Sequence, residues 1–278
     1  MSVAEAAGRW DEGTRSVLPG PGSDAPATEY VRALDRGLAV VRAFDAQHPR
    51  RSLSEVARAV GLAPATARRL LHTLQALDYV RTDGLVWWLR PRLLELGQAY
   101  LATTTVWDVV RERLTRLAGD VRETSSAGVL EGDDVLYVVR VPYRRIMSMN
   151  VEVGTRIPAF ASSMGRVLLA ALDADALEAT LARADLRPIT PHTVSSVTAL
   201  RDLVTEVREQ GWCLMEQELE AGIQCVAAPV HDASGRVVAA VTVSTHTTRV
   251  RPGELRDRLL PALLEAAADI DEDLRRRG

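Results

Sequence analysis

The 278-residue sequence predicts an α+β protein with an N-terminal winged helix-turn-helix, a linker helix and a C-terminal domain on an antiparallel sheet. Three observations predict it. Residues 52–89 read as short helix, tight turn, basic helix and small hairpin. Beyond about residue 124, β-prone runs joined by turn residues alternate with helical periods. Charge is also segregated. Residues 30–92 hold eleven arginines and five acids, residues 1–29 two and five, and residues 93–278 twenty-one and twenty-seven. A basic module on an acidic body is the layout of a nucleic-acid reader with a separate regulatory domain.

The elements follow in order. Residues 1–28, rich in Gly, Pro and small polar residues, are expected to be a flexible tail. Residues 29–90 form the winged helix-turn-helix. Its first helix runs from about Val31 to Phe44, with Leu34, Leu38, Val41 and Phe44 at helical spacing, and His48-Pro49 breaks it. The second helix has Ser52 or Ser54 as N-cap and Leu53, Val56, Ala57 and Val60 on one side, and Gly61 ends it. The third starts near Pro64. Ala67, Leu70, Leu71, Leu74 and Leu77 make its apolar stripe, and Thr66, Arg68, Arg69, His72 and Thr73 fall on the other side. Two adjacent arginines on an exposed helix face suit phosphate oxygens and guanine edges in a major groove. Tyr79–Thr82 and Leu85–Leu89 around Asp83-Gly84 form the wing, flanked by Arg81 and Arg90. The DNA-contact candidates are Ser52, Pro64, Ala65, Thr66, Arg68, Arg69, His72 and Arg81.

Pro91 opens a linker helix over 91–105, whose apolar Leu93, Leu94, Leu96, Tyr100 and Leu101 suit either a second subunit or its own domain. Residues 106–278 form the second domain. Helices are expected over Val106–Val121, Ser163–Leu172, Ala174–Ala184, Thr198–Gln210 and Arg251–Arg277. Strands are expected over Ser126–Leu130, Val135–Val141, Ile146–Val151, Trp212–Glu216, Cys225–His231 and Val237–Thr245.

Composition excludes several chemistries. All 34 basic residues are arginine, so there is no phosphate-loop lysine and no Schiff-base lysine. Cys213 and Cys225 do not form a zinc pattern, and buried thiols are expected. Ser163 precedes Met-Gly and is not in a nucleophile elbow. The histidines at 48, 72, 192, 231 and 246 show no spacing that pairs one with it. No catalytic residue, cofactor or metal is expected. No apolar run reaches the roughly 20 residues of a membrane span, and no secretion signal opens the chain, so a cytoplasmic protein without membrane contact is expected.

Over residues 30–275 the chain resembles the IclR-type bacterial transcription regulators. The resemblance is carried by SLSEVARAVGLAPATARRLLHTL, RPRLLELGQAYL, VGTRIPAFASSMGRVLLA and EQELEAGIQCVAAPVHDASGRVVAAVTVS. RRIMSMNVEVGTRIPAFASSMGRVLLAAL and LRPITPHTV are most similar to the Pca-type subgroup, regulators of protocatechuate and β-ketoadipate catabolism. The resemblance implies a GAF-like effector domain, a homodimer or dimer of dimers, an operator with inverted half-sites and a small organic acid as effector. Pro64-Ala65 departs from the Ser-Arg of many relatives, which leaves the operator sequence open.

The resemblance places the effector near Ala161–Gly165, Met215–Cys225 and the strands near Ile146, with Met147 a candidate contact. Ser162, Ser163, Met164 and Gly165 open a helix, where free amides suit a carboxylate and Gly165 lets a ligand approach; Ser162 serves equally as a plain cap. Arg144 and Arg145 offer an arginine fork. Glu216, Glu218 and Glu220 alternate as on one strand face, to bind ligand hydroxyls, pair with Arg144 or Arg145, or serve the dimer. Cys225 matches a pocket position of the family and equally suits a core thiol. The expected function is a ligand-responsive DNA-binding regulator of aromatic-acid catabolism. A regulator of another small-carboxylate pathway, or an enzyme fused to a DNA-binding domain, is the alternative.

Overall fold

The computed structural model describes residues 30–102, 106–143 and 151–277, and the chain divides between Thr104 and Thr105 into two compact units. The tail, Arg144, Arg145, Met147 and all but the last residue of the strand expected at Ile146–Val151 lie outside the described residues.

The first unit contains α1 (Arg32–Arg42), β1 (Arg51–Ser52), α2 (Leu53–Ala59), α3 (Pro64–Ala76), β2 (Val80–Thr82), β3 (Val86–Leu89), a 3₁₀ turn (Pro91–Leu93) and α4 (Leu94–Ala102). Its core is Val40, Phe44, Val56, Leu71, Val80 and Trp87. Ser52 starts α2 through a capping box. Its Oγ accepts from the Glu55 amide at 3.4 Å, and the Glu55 carboxylate accepts from the Ser52 amide at 2.7 Å. Gly61, at φ +63°, lets the Leu62 amide return to the Ala57 carbonyl at 2.9 Å, which closes α2.

The wing is an antiparallel sheet in the order β1-β3-β2, and the two-residue β1 was not anticipated. Its apex is tied down locally. Asp83 Oδ1 accepts from the Leu85 and Val86 amides, both at 2.9 Å, and these bonds hold its carboxyl below the usual range. Leu77, assigned to the apolar stripe of α3, is 51% exposed. The helix stops at Ala76, which turns Leu77 away from the core.

The second unit contains α5 (Val106–Val121), β4 (Thr124–Glu131), β5 (Asp134–Val141), β6 (Arg156–Pro158), a 3₁₀ turn (Ala159–Ala161), α6 (Ser163–Ala170), α7 (Ala174–Arg183), α8 (Val197–Gln210), β7 (Cys213–Glu216), β8 (Ile223–His231), β9 (Val237–His246) and α9 (Leu260–Arg277). The six strands form one antiparallel sheet in the order β6-β5-β4-β9-β8-β7. One face packs on α5 and α9 through residues such as Val226, Val241 and Val243. The other face packs on α6, with α8 behind it, and carries Tyr137, Cys213, Cys225, Ala227 and Thr242.

Two departures from expectation have local causes. β6 is an edge strand of three residues ending in Pro158, too short to show alternation, and a proline is tolerated there because an edge needs no further donor. The closing helix, expected over Arg251–Arg277, is continuous from Pro252 to Arg277 but changes pitch within it. A π-helical turn over Leu255–Leu259 precedes α9, and Pro261 in the first turn of α9 cannot donate to the Asp257 carbonyl. Among the described residues no helix is long and apolar enough to cross a membrane.

Candidate functional site

Two surfaces carry chemistry. On α3, Pro64, Ala65, Arg68, Arg69 and His72 are exposed, and Thr66 is half-buried beside the buried Ala67. Helical spacing puts Ala65, Arg68, Arg69 and His72 along one side. Ala63 caps α3 without a side-chain bond, and its first turn holds no acidic residue, so its positive end is not neutralised from within the helix. His72 is fixed by Gln75 at 3.3 Å and by an edge contact with Trp87, ring centroids 5.4 Å apart. Arg81 is exposed on β2. Two residues fit a DNA contact less well than the sequence implied. The Ser52 hydroxyl is engaged with Glu55, and Arg90 pairs with Asp78.

The second surface is a cleft of about 390 Å³, counted out to its open mouth, between the start of α6, the sheet and the loop after β7. Ser162, Ser163, Met164, Glu218, Glu220 and Cys225 all line it. Gly165 does not. A Cβ there would sit 2.1 Å from the Ala159 carbonyl oxygen, so this glycine lets α6 lie against the preceding turn rather than admit a ligand.

The start of α6 is set by Ser162, whose Oγ accepts from the Gly165 amide at 3.0 Å. This leaves the first-turn amides of Ser163 and Met164 without an intrahelical acceptor at the positive end of the helix. Across from them lie side chains that period-two spacing sets on one sheet face. Thr242 Oγ1 is 3.4 Å from Ser163 Oγ and donates to the Val226 carbonyl at 2.8 Å. The Cys225 thiol donates to Ser244 Oγ at 3.3 Å, and burial pushes its pKa up to about 11, so it stays protonated at neutral pH. Burial also raises the Tyr137 phenol and keeps it neutral. Ile157, Met164, Met215, Leu219 and Ile223 supply the apolar lining.

The acidic triplet is not a strand face. β7 ends at Glu216, and Gln217, at φ +59°, turns the chain inward. Glu218 is consequently buried in a two-pronged pair with Arg166 of α6, at 2.8 and 2.6 Å. Its Oε2 also accepts from the Val194 amide at 3.1 Å, and its carbonyl accepts from Thr193 Oγ1 at 2.6 Å. The pair locks one wall of the cleft to α6 and to the 190–194 loop. Cys213, behind this wall, is pushed up to about 12 by burial. Sequence reasoning missed Arg166, Tyr137, Thr242 and Ser244. Their signals were an arginine inside an apolar helix and a polar alternation within the buried strand β9.

Comparison with known proteins brings both surfaces under one description. The profile described as the IclR helix-turn-helix domain matches residues 33–84, and that of the bacterial transcriptional regulator IclR C-terminal region matches residues 98–272. The Pca regulon regulatory protein of Pseudomonas putida is 40% identical over 88% of this chain and 85% of its own length. A crystal structure of a regulator from Rhodococcus sp. RHA1 is 46% identical, with a TM-score of 0.81, and covers 90% of this chain and 100% of its own. An IclR homologue from Microbacterium hydrocarbonoxydans, solved with 4-hydroxybenzoate, is 27% identical, with a TM-score of 0.76, over 87% of this chain and 99% of its own.

Proposed function

The chain belongs to the IclR family of bacterial transcriptional regulators, and on that premise we propose that it controls aromatic-acid catabolism. In this reading α3 and the wing bind operator DNA, and a small aromatic acid binds in the cleft beside α6. The carrying observation is the make-up of that cleft. The first-turn helix amides of Ser163 and Met164 seat a carboxylate, Met164, Met215, Ile157 and Ile223 flank a ring, and Ser163, Thr242, Ser244 and the Glu220 carboxylate meet ring hydroxyls. The regulon named for the Pseudomonas putida relative and the 4-hydroxybenzoate in the Microbacterium hydrocarbonoxydans homologue support the same ligand class.

On the DNA side, Arg68 and Arg69 reach base edges or phosphates from the groove side of α3. Pro64, Ala65, Thr66 and His72 border them, and Arg81 touches the backbone. Residues 29–90 act as the reader, 91–105 as linker and 106–278 as sensor. Two copies read inverted half-sites in the cytoplasm. The exposed Val31 just before α1, Leu34 and Leu38 of α1, and Leu94 and Leu96 of α4 give a homo-oligomer apolar surface to bury. The effector acts by binding one arrangement of the reader pair better than another.

A gel shift on the DNA upstream of the chain's own gene, repeated with protocatechuate and hydroxybenzoates, tests the proposal. Specific binding that these acids alter supports it. Binding no better than to random DNA overturns it.

A further inference from the structure

We propose that Thr193 is a positioning residue for the effector. It is not among the residues that line the cleft, yet its hydroxyl fixes the wall that Gln217, Glu218, Leu219 and Glu220 present to it. The proposal rests on the reading of the cleft as an effector site and assigns the group that holds its outer wall in place.

That wall is a loop between β7 and β8, so no strand ladder sets its position. It closes on itself at its base, where the Gln217 amide donates to the Ile223 carbonyl at 2.6 Å and Gln217 Oε1 accepts from the Gly222 amide at 3.0 Å. Its place relative to α6 is set from outside, by the segment between α7 and α8. Thr193 Oγ1 donates to the Glu218 carbonyl at 2.6 Å, and Thr190 Oγ1 donates to the Gln217 carbonyl at 2.7 Å. The Val194 amide donates to Glu218 Oε2 at 3.1 Å.

Thr193 is the centre of this strap. Its hydroxyl also accepts from the amides of Ile189 and Thr190, at 3.1 and 2.8 Å, so its one proton and both lone pairs are used. The residue is buried, and the same oxygen therefore shapes the strap and docks it on the wall. The far end of the segment holds the opposite side of the cleft. Arg208 of α8 donates to the Ala170 and Leu172 carbonyls at the end of α6, both at 2.7 Å. One continuous stretch of chain thus braces α6 and the wall together. A ligand that must touch both binds best when their separation is fixed beforehand, because ordering the wall is otherwise charged against affinity.

Calorimetric titration of the full chain with 4-hydroxybenzoate and protocatechuate tests this. Thr193→Val keeps the side-chain shape and removes the hydroxyl. Its affinity is expected to fall about fivefold, the worth of one ordinary hydrogen bond, while Thr193→Ser restores the parent value. Ile270→Val, a cavity on the far face of the sheet, is the stability control: it lowers the melting temperature and leaves acid affinity unchanged. Parent affinity in Thr193→Val overturns the proposal. So does a loss that Thr193→Ser fails to restore, or one that Ile270→Val reproduces. If the unmodified chain binds neither acid, the effector reading itself falls, and the positioning role with it.

Discussion

Arg166 and Glu218 are joined by two parallel hydrogen bonds in the interior of the sensor unit, with side chains only 3% and 10% exposed. The pair ties α6 to the loop after β7, and Glu218 is also a wall of the cleft. Removing one partner leaves an uncompensated charge out of water, which typically costs about 3–5 kcal/mol, whereas replacing both with apolar residues is often close to neutral. Glu218→Ala is therefore expected to lower unfolding stability by about that amount, and R166M/E218L to recover most of it. Urea denaturation of the single and double variants measures this.

Gly165→Ala is expected to distort the start of α6. The added Cβ meets backbone at Ala159, not a flexible side chain, so overpacking of about 1–3 kcal/mol or more follows. Thermal melting should show the loss, and effector titration should show weaker binding, because the same turn presents the Ser163 and Met164 amides.

The buried thiols give the chain a pH dependence of known sign. Cys213 and Cys225 are raised to about 12 and about 11 by burial, from a usual value near 9. The native state therefore keeps protons that the unfolded state releases. Their contribution is fully present below pH 9 and is lost as pH rises through 11 to 12. Urea midpoints measured from pH 8 to 10.5 should fall for the parent chain and fall less steeply for C213A/C225A. Equal slopes would remove the thiols from the account.

Much of this was legible in the sequence, for physical reasons. Asp83-Gly84, the choice of Ser52 or Ser54 as N-cap of α2, and Gly211, at φ +81° ending α8, act over a few residues and can be read locally. Short or tertiary features were not. β1 and β6 exist only through pairing with β3 and β5. The π-helical turn before Pro261 was hidden inside a helical period. In the cleft, Ser162 and Cys225 showed by motif. Arg166 did not, because an arginine in an apolar helix takes its meaning from Glu218, 52 positions away.

Arg68→Ala and Arg69→Ala should each reduce operator affinity by about 1–3 kcal/mol where a base edge is contacted, and relax discrimination at that position. Both side chains are exposed, so melting temperature should hardly move. Competition binding with operator and single-base variants separates base contacts from phosphate contacts. A loss equal on every sequence marks a phosphate contact.

The central claim is that occupancy of the α6 cleft changes operator binding. Fluorescence anisotropy of labelled upstream DNA, titrated with the full chain with and without saturating protocatechuate or 4-hydroxybenzoate, tests it most directly. At least one acid is expected to shift the dissociation constant by about fivefold or more, the lower end of ordinary allosteric coupling. Superimposable curves with every acid of the panel, from a chain that binds its operator specifically, would contradict the account.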